Sequence, residues 1–293
     1  MTVWLVLAAP WVIAALLTLG LPRLEALFAP DWWTRVLAAT GVSLALATWT
    51  SALALETILG GAGPAAARAA AVVLGGFLLW TLVGCLRHAV RIRANMRASK
   101  VFRDSTARTG DVLTVDCATP DAFAVPGRRG VVVVTTALTA ALDEQELCAV
   151  VSHERAHLRG RHPMLIQAVQ LAARLNPMLR RWGEAVRYAA ERAADECAAT
   201  GGRPVAVRAI ARAALLCSAA AAPAWPGVGG QPGEVLRRVT ALQHPGPRRQ
   251  RAWLLLAAAA VVLGLAANFL MVADLAQDRL IPEPGEPAVE VLG

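Results

Sequence analysis

The chain has too little cysteine, in the wrong arrangement, for a disulfide framework or a cysteine-type metal centre. Cys85, Cys117, Cys148, Cys197 and Cys217 are odd in number and widely spaced, with no CxxC pair, so neither is expected. Each is read as a small buried hydrophobe. Aromatic residues make up only 5% of the chain. With so few rings to stack bases and no recognisable binding motif, the net charge of +8 does not point to nucleic acid as a partner. No internal repeat is evident. Charge itself is missing from four long runs: Val3–Leu21, Val36–Leu55, Ala69–Leu86 and Ala252–Ala273.

Those four runs account for what is abundant. The chain is 56% hydrophobic with a mean hydropathy of +0.49, which excludes an ordinary soluble domain. Each run comes close to the roughly 20 residues needed to cross a hydrocarbon core, so four transmembrane helices are expected. The first lacks a positive n-region and is followed by other spans, so it reads as a retained helix and not a secretion signal. The division is residues 1–86 as a three-helix membrane region, 87–251 as a loop domain, 252–273 as the fourth span and 274–293 as a short tail. Arg87, Arg91, Arg93, Arg97, Lys100 and Arg103 crowd the end of the third span. The positive-inside rule puts that edge in the cytoplasm, with attraction to anionic lipid headgroups as a second consequence. Both termini then lie outside the cell membrane.

The loop domain mixes strand and helix patterns. Residues 111–116 alternate polar and apolar, 121–126 end at Pro126-Gly127, and 130–136 (GVVVVTT) are β-branched throughout. Three strands in a small sheet are expected. Asp143 with Glu146 forms a capping-box pattern opening a helix over 144–159, which Gly160 should close at the C′ position. Further helices are expected over 163–175, 182–199 and 205–222, with a Pro/Gly-rich loop over 223–233.

Histidine is scarce, and three of the five fall in "SHERAHLRGRH", residues 152–162. On a helix, positions i and i+4 share a face, so His153 and His157 can present two imidazoles to one ion. Glu154, turned by about 100°, can hold a water and act as general base. This is the H-E-x-x-H pattern of a zinc hydrolase. A catalytic zinc needs a third protein ligand, and two candidates compete. His162 follows Gly160 at one residue short of the metzincin spacing. Glu191, in "ERAADECA", has Asp195 one turn further on the same face, a pairing suited to a ligand and a carboxylate that orients a zinc histidine. Glu191 is the preferred ligand, with Asp195 and His162 in the surrounding shell.

With H-E-x-x-H, E-x-x-x-D and membrane runs on both sides, the chain resembles integral-membrane zinc peptidases of the BlaR/MecR type, and more distantly the HtpX-like and CAAX prenyl endopeptidases. The similarity is sharpest over residues 121–200. It implies a mainly α membrane protein carrying a cytoplasmic α+β zincin-like domain. It further implies one zinc ion per chain on His153, His157 and Glu191, with Glu154 as base. The substrate would be a cytoplasmic or membrane-proximal protein, such as a transcriptional repressor or a damaged membrane protein. The 130–136 strand would be a sheet edge beside the cleft, where an extended substrate could add its own backbone. The beta-lactam receptors carry a large extracellular sensor after the last span, whereas only residues 274–293 follow here, so antibiotic sensing by that route is not expected. The HtpX relatives place spans between the histidine motif and the glutamate. Residues 163–182 contain Arg174, Arg180 and Arg181, so no membrane hairpin is expected there. Homo-oligomerisation is left open, and a non-catalytic signalling scaffold is the alternative function.

Overall fold

The computed structural model describes residues 2–60, 64–105, 108–128, 130–219, 232–244 and 252–280. Three long helices open the chain: α1 (Thr2–Glu25), α2 (Pro30–Gly60) and α3 (Pro64–Ala98), followed by the short α4 (Lys100–Asp104). Their segments Leu7–Glu25, Pro30–Glu56 and Ala67–Asp104 are long and apolar enough to cross a membrane. The expected fourth span falls on α11 (Ala252–Leu280), where the apolar stretch Leu254–Leu270 is shorter. The tail from residue 281 and most of the 223–233 loop lie outside the described residues.

Four strands form the sheet, one more than the sequence pattern suggests. They are β1 (Arg108–Thr109), β2 (Val112–Val115), β3 (Ala122–Val125) and β4 (Val131–Thr135), in the order β1-β2-β4-β3. β1 holds two residues, too few to show a period, and pairs with β2 through a tight turn at Gly110, where φ is +66°. β4 runs parallel to β2 and antiparallel to β3. It is therefore central and not the sheet edge the family resemblance implies; beside α6 the edge is β3. The burial of β4 explains its unbroken valine run. Val132 and Val134 pack with Leu138, Val150, Val151, Ala209 and Ala213 on one face. Val131 and Val133 pack with Leu113 and Val125 on the other. A strand buried on both faces has no polar alternation to show.

Helix α5 (Thr136–Ala141) leads into α6 (Glu144–Arg159). The capping box is complete: Asp143 Oδ1 accepts from the Glu146 backbone N–H at 2.8 Å, and Glu146 Oε2 accepts from that of Asp143 at 3.2 Å. The other end departs from expectation. Gly160 is right-handed, with φ −75°, and the left-handed residue is Arg161, with φ 52°. Gly160 is needed for space instead, because a Cβ there would lie 2.6 Å from Cδ2 of the His162 ring.

Helix α7 (His162–Leu175), a 3-10 turn at Pro177–Leu179 and α8 (Trp182–Ala198) form a hairpin, followed by α9 (Arg203–Ala219) and α10 (Pro232–Gln243). This hairpin lies along the long helices and does not hang below them. Leu37, Leu44 and Ala45 of α2 share one core with Val169, Ala172, Leu179, Trp182 and Val186. Asn176 Nδ2 donates to Thr48 Oγ1 at 2.9 Å, and Trp182 Nε1 to Thr18 Oγ1 at 2.8 Å. Thr48 lies about 27 Å of helix rise from the start of α2. Among the described residues neither arm is a candidate membrane span, in keeping with its arginines: Arg180 and Arg181 are exposed and Arg174 is half-buried, while the apolar face meets α2.

Candidate metal centre

Helix periodicity puts His153 and His157 one turn apart on α6, and α8 brings Glu191 across from them. His153 Nε2 and His157 Nε2 are 3.1 Å apart. Glu191 Oε2 is 3.4 Å from the first, and its Oε1 is 3.4 Å from the second. Among the described residues this trio alone forms a group of three metal-capable side chains with converging donor atoms. A zinc ion with tetrahedral ligands at 2.0–2.1 Å needs donors about 3.3 Å apart. The triangle has that size and offers two imidazole nitrogens and a carboxylate, so the residues fit the ion.

The surrounding shell is built from charge pairs. His153 Nδ1 lies 3.1 Å from Asp195 Oδ1, off the line of a well-directed hydrogen bond. Arg238, 1% exposed, donates through Nε and Nη2 to the two Asp195 oxygens at 2.8 and 2.6 Å, and its Nη1 sits 2.9 Å from Glu191 Oε2. One guanidinium thus clamps the third metal-capable side chain and its neighbour carboxylate together. His162 Nδ1 sits 3.0 Å from His157 Nδ1, a pair satisfied only when one nitrogen carries a proton and the other does not. His162 therefore meets His157 from the side away from Glu191 and lies outside the donor triangle.

Burial and charge set the protonation. Burial opposes a charged His153, but Asp195 and Glu191 outweigh it and lift its pKa to about 10. The pocket thus draws a positive charge to that point, which a cation could satisfy in place of the proton. Burial pushes His157 down to about 3 and His162 to about 4, keeping both neutral. Glu191 and Asp195 are also buried, yet Arg238 and His153 hold both below the usual carboxylate range. Glu154 differs. It is 4% exposed and has no hydrogen-bond or ion-pair partner among the described residues, and burial raises its pKa to about 8. Glu191, and to a lesser degree Asp121 just before the edge strand β3, add to that upward shift through like charge.

The structure brings together every candidate read from the sequence: His153, Glu154, His157, His162, Glu191 and Asp195. Arg238 was missed. Its signal is an arginine on the apolar stripe of "EVLRRVTALQ", one turn before the fully buried Leu242. The cysteines are all free, but only Cys217 is buried; Cys148 is exposed and the rest are half-buried, so the expectation that all five are core residues fails. Cys217 donates to the Pro120 carbonyl at 3.3 Å, and burial pushes its thiol up to about 11.

A helix bearing two histidines and a free buried glutamate, beside a small sheet, with a glutamate from a second helix, has the donor set that a metallohydrolase needs. Residues 94–179 match the model of peptidase family M48. The matched stretch includes His153, Glu154 and His157, stops before Glu191, and covers well under half of the chain. It supports a metallopeptidase. No curated protein and no solved structure matches the chain.

Proposed function

We propose that this chain is a membrane-embedded zinc endopeptidase of the M48 type, cleaving a cytoplasmic or membrane-proximal protein. The observation that carries the reading is the zinc-sized donor triangle of His153, His157 and Glu191 with the unpartnered Glu154 beside it. When bound, zinc supplies Lewis acidity that activates a water and polarises a peptide carbonyl. Glu154 accepts the water's proton as its oxygen bonds to the carbonyl carbon, and returns a proton to the leaving nitrogen as the C–N bond breaks. Asp195, charged and 3.1 Å from His153 Nδ1, favours a proton on that nitrogen and leaves Nε2 free for the metal, and Arg238 holds Glu191 and Asp195 in register. An extended substrate would pair with the outer edge of β3 (Ala122–Val125), which starts next to Asp121 and so leads towards Glu154.

The membrane part of the proposal has α1, α2, α3 and α11 as four spans, both termini outside and the metal centre on the cytoplasmic side. The arginines that follow Leu86 support this orientation. Metal analysis together with proteomics of cells carrying wild type or Glu154→Gln tests the function. Zinc in both proteins, with substrates accumulating only in the variant, is the expected result. Equal substrate levels in both would leave a zinc-binding scaffold in its place.

A further inference from the structure

A polar cavity distinct from the metal-capable trio lies between α3 and the α7–α8 hairpin. It has a volume of about 470 Å³, and its walls hold five arginines: Arg87 and Arg91 from α3, Arg174 from α7, and Arg180 and Arg187 from the turn and α8. Glu184 is the single acid on the wall. Among the described residues none of the five arginines forms an ion pair with a carboxylate, and Arg174 Nε is closed off from solvent with no hydrogen-bond partner. Five arginines with only Glu184 to offset them repel one another, and an anion between them would relieve that repulsion. Guanidinium groups match phosphate oxygens with paired N–H donors.

The position of the cavity says which phosphate. On α3 it runs from Trp80 to Arg91, across the point where the uncharged run ends at Leu86 and the first arginine appears. Above that point α3 exposes Val72, Val73, Leu79, Trp80, Val83 and Leu86, a surface suited to acyl chains. A tryptophan at such a boundary sits at the level of the headgroups. We propose that this cavity binds the phosphate of an anionic phospholipid from the cytoplasmic leaflet, its acyl chains lying along α3. The bound headgroup would tie the third long helix to the hairpin whose second arm carries Glu191. Basic pockets between helices on the cytoplasmic side have the right chemistry for this. The inference rests on the membrane reading proposed above.

The test uses the full chain purified in a neutral detergent and titrated with phosphatidylglycerol, phosphatidylcholine or inorganic phosphate, with retained lipid read by native mass spectrometry. One phosphatidylglycerol should be held per chain, with phosphatidylcholine held at least tenfold more weakly. Arg174→Gln/Arg180→Gln should weaken phosphatidylglycerol at least tenfold. So should Arg87→Gln/Arg91→Gln, whose exposed positions leave folding intact if the first pair does not. Arg93→Gln, on α3 but outside the cavity, should bind as wild type does. Equal retention of the two lipids, or wild-type binding in the Arg87/Arg91 variant, overturns the site. If millimolar inorganic phosphate displaces the lipid completely, the ligand is a free phosphate and the lipid assignment falls. Flotation with phosphatidylcholine vesicles separates the two readings. A chain that does not float at all sinks the membrane proposal, and one that floats without preferring phosphatidylglycerol sinks only the cavity.

Discussion

Burial lifts the pKa of Glu154 from its ordinary 4.5 to about 8. Between those values the folded chain keeps a proton that the unfolded chain releases, so metal-free stability falls as pH rises through that window. Glu154→Gln has no such titration. After EDTA treatment it should melt above wild type at pH 8, and the two should converge near pH 4.5; thermal melts at both pH values check this. In the zinc-loaded protein the same change should lower turnover by about 10²–10⁴ with zinc content unchanged, since the amide cannot take the water's proton. Glu191→Ala should release most of the zinc and His162→Ala almost none, measured by metal analysis after dialysis; the reverse would move the ligand role to His162. Arg238→Gln should weaken zinc by about 10–100-fold, the usual cost of disturbing the groups that orient ligands. The histidine pair was legible because both partners lie within one helical turn. The clamp was not, because Arg238 reaches Asp195 across 43 residues of chain.

Helix α6 begins as its sequence dictates, since a capping box is a local interaction of four residues. Its end was misread because the demand on Gly160 comes from outside the helix. The His162 ring occupies the space where a Cβ would stand. Gly160→Ala should therefore cost about 1–3 kcal/mol through overpacking, and much of that loss should be recovered in Gly160→Ala/His162→Ala. Thermal unfolding of both single variants and the double closes the cycle; purely additive losses would show that the contact does not matter. Strand β4 makes the same point in the sheet. Its valines announced a strand, but only pairing with both β2 and β3 made it central and left the outer edge to β3.

At the scale of the whole molecule, one core joins the long helices to the α7–α8 hairpin, so the division at residue 87 is not a division in packing. Arg237 extends this link by lying over the Tyr188 ring and pairing with Glu25 at the end of α1. That pair is largely exposed, and Arg237→Ala should change stability by less than about 1 kcal/mol. For the proposed topology, cysteines introduced at positions 285 and 230 of a cysteine-free chain should differ. An impermeant thiol reagent added to intact cells should label 285 and spare 230, and labelling at 230 would overturn the orientation.

By itself the sequence determined whatever depends on neighbours along the chain. The long uncharged helices follow from composition, the capped α6 from four adjacent residues, and the His153–Glu154–His157 face from the helical period. The E-x-x-x-D pair on α8 was visible for the same reason. Tertiary structure decided everything that joins distant segments: which strand is the edge, how the hairpin lies along α2, and how Arg238 comes between Glu191 and Asp195. A helical period fixes which side chains share a face. What that face meets depends on apolar burial and charge pairing summed over segments far apart in the chain, and no local pattern carries that sum.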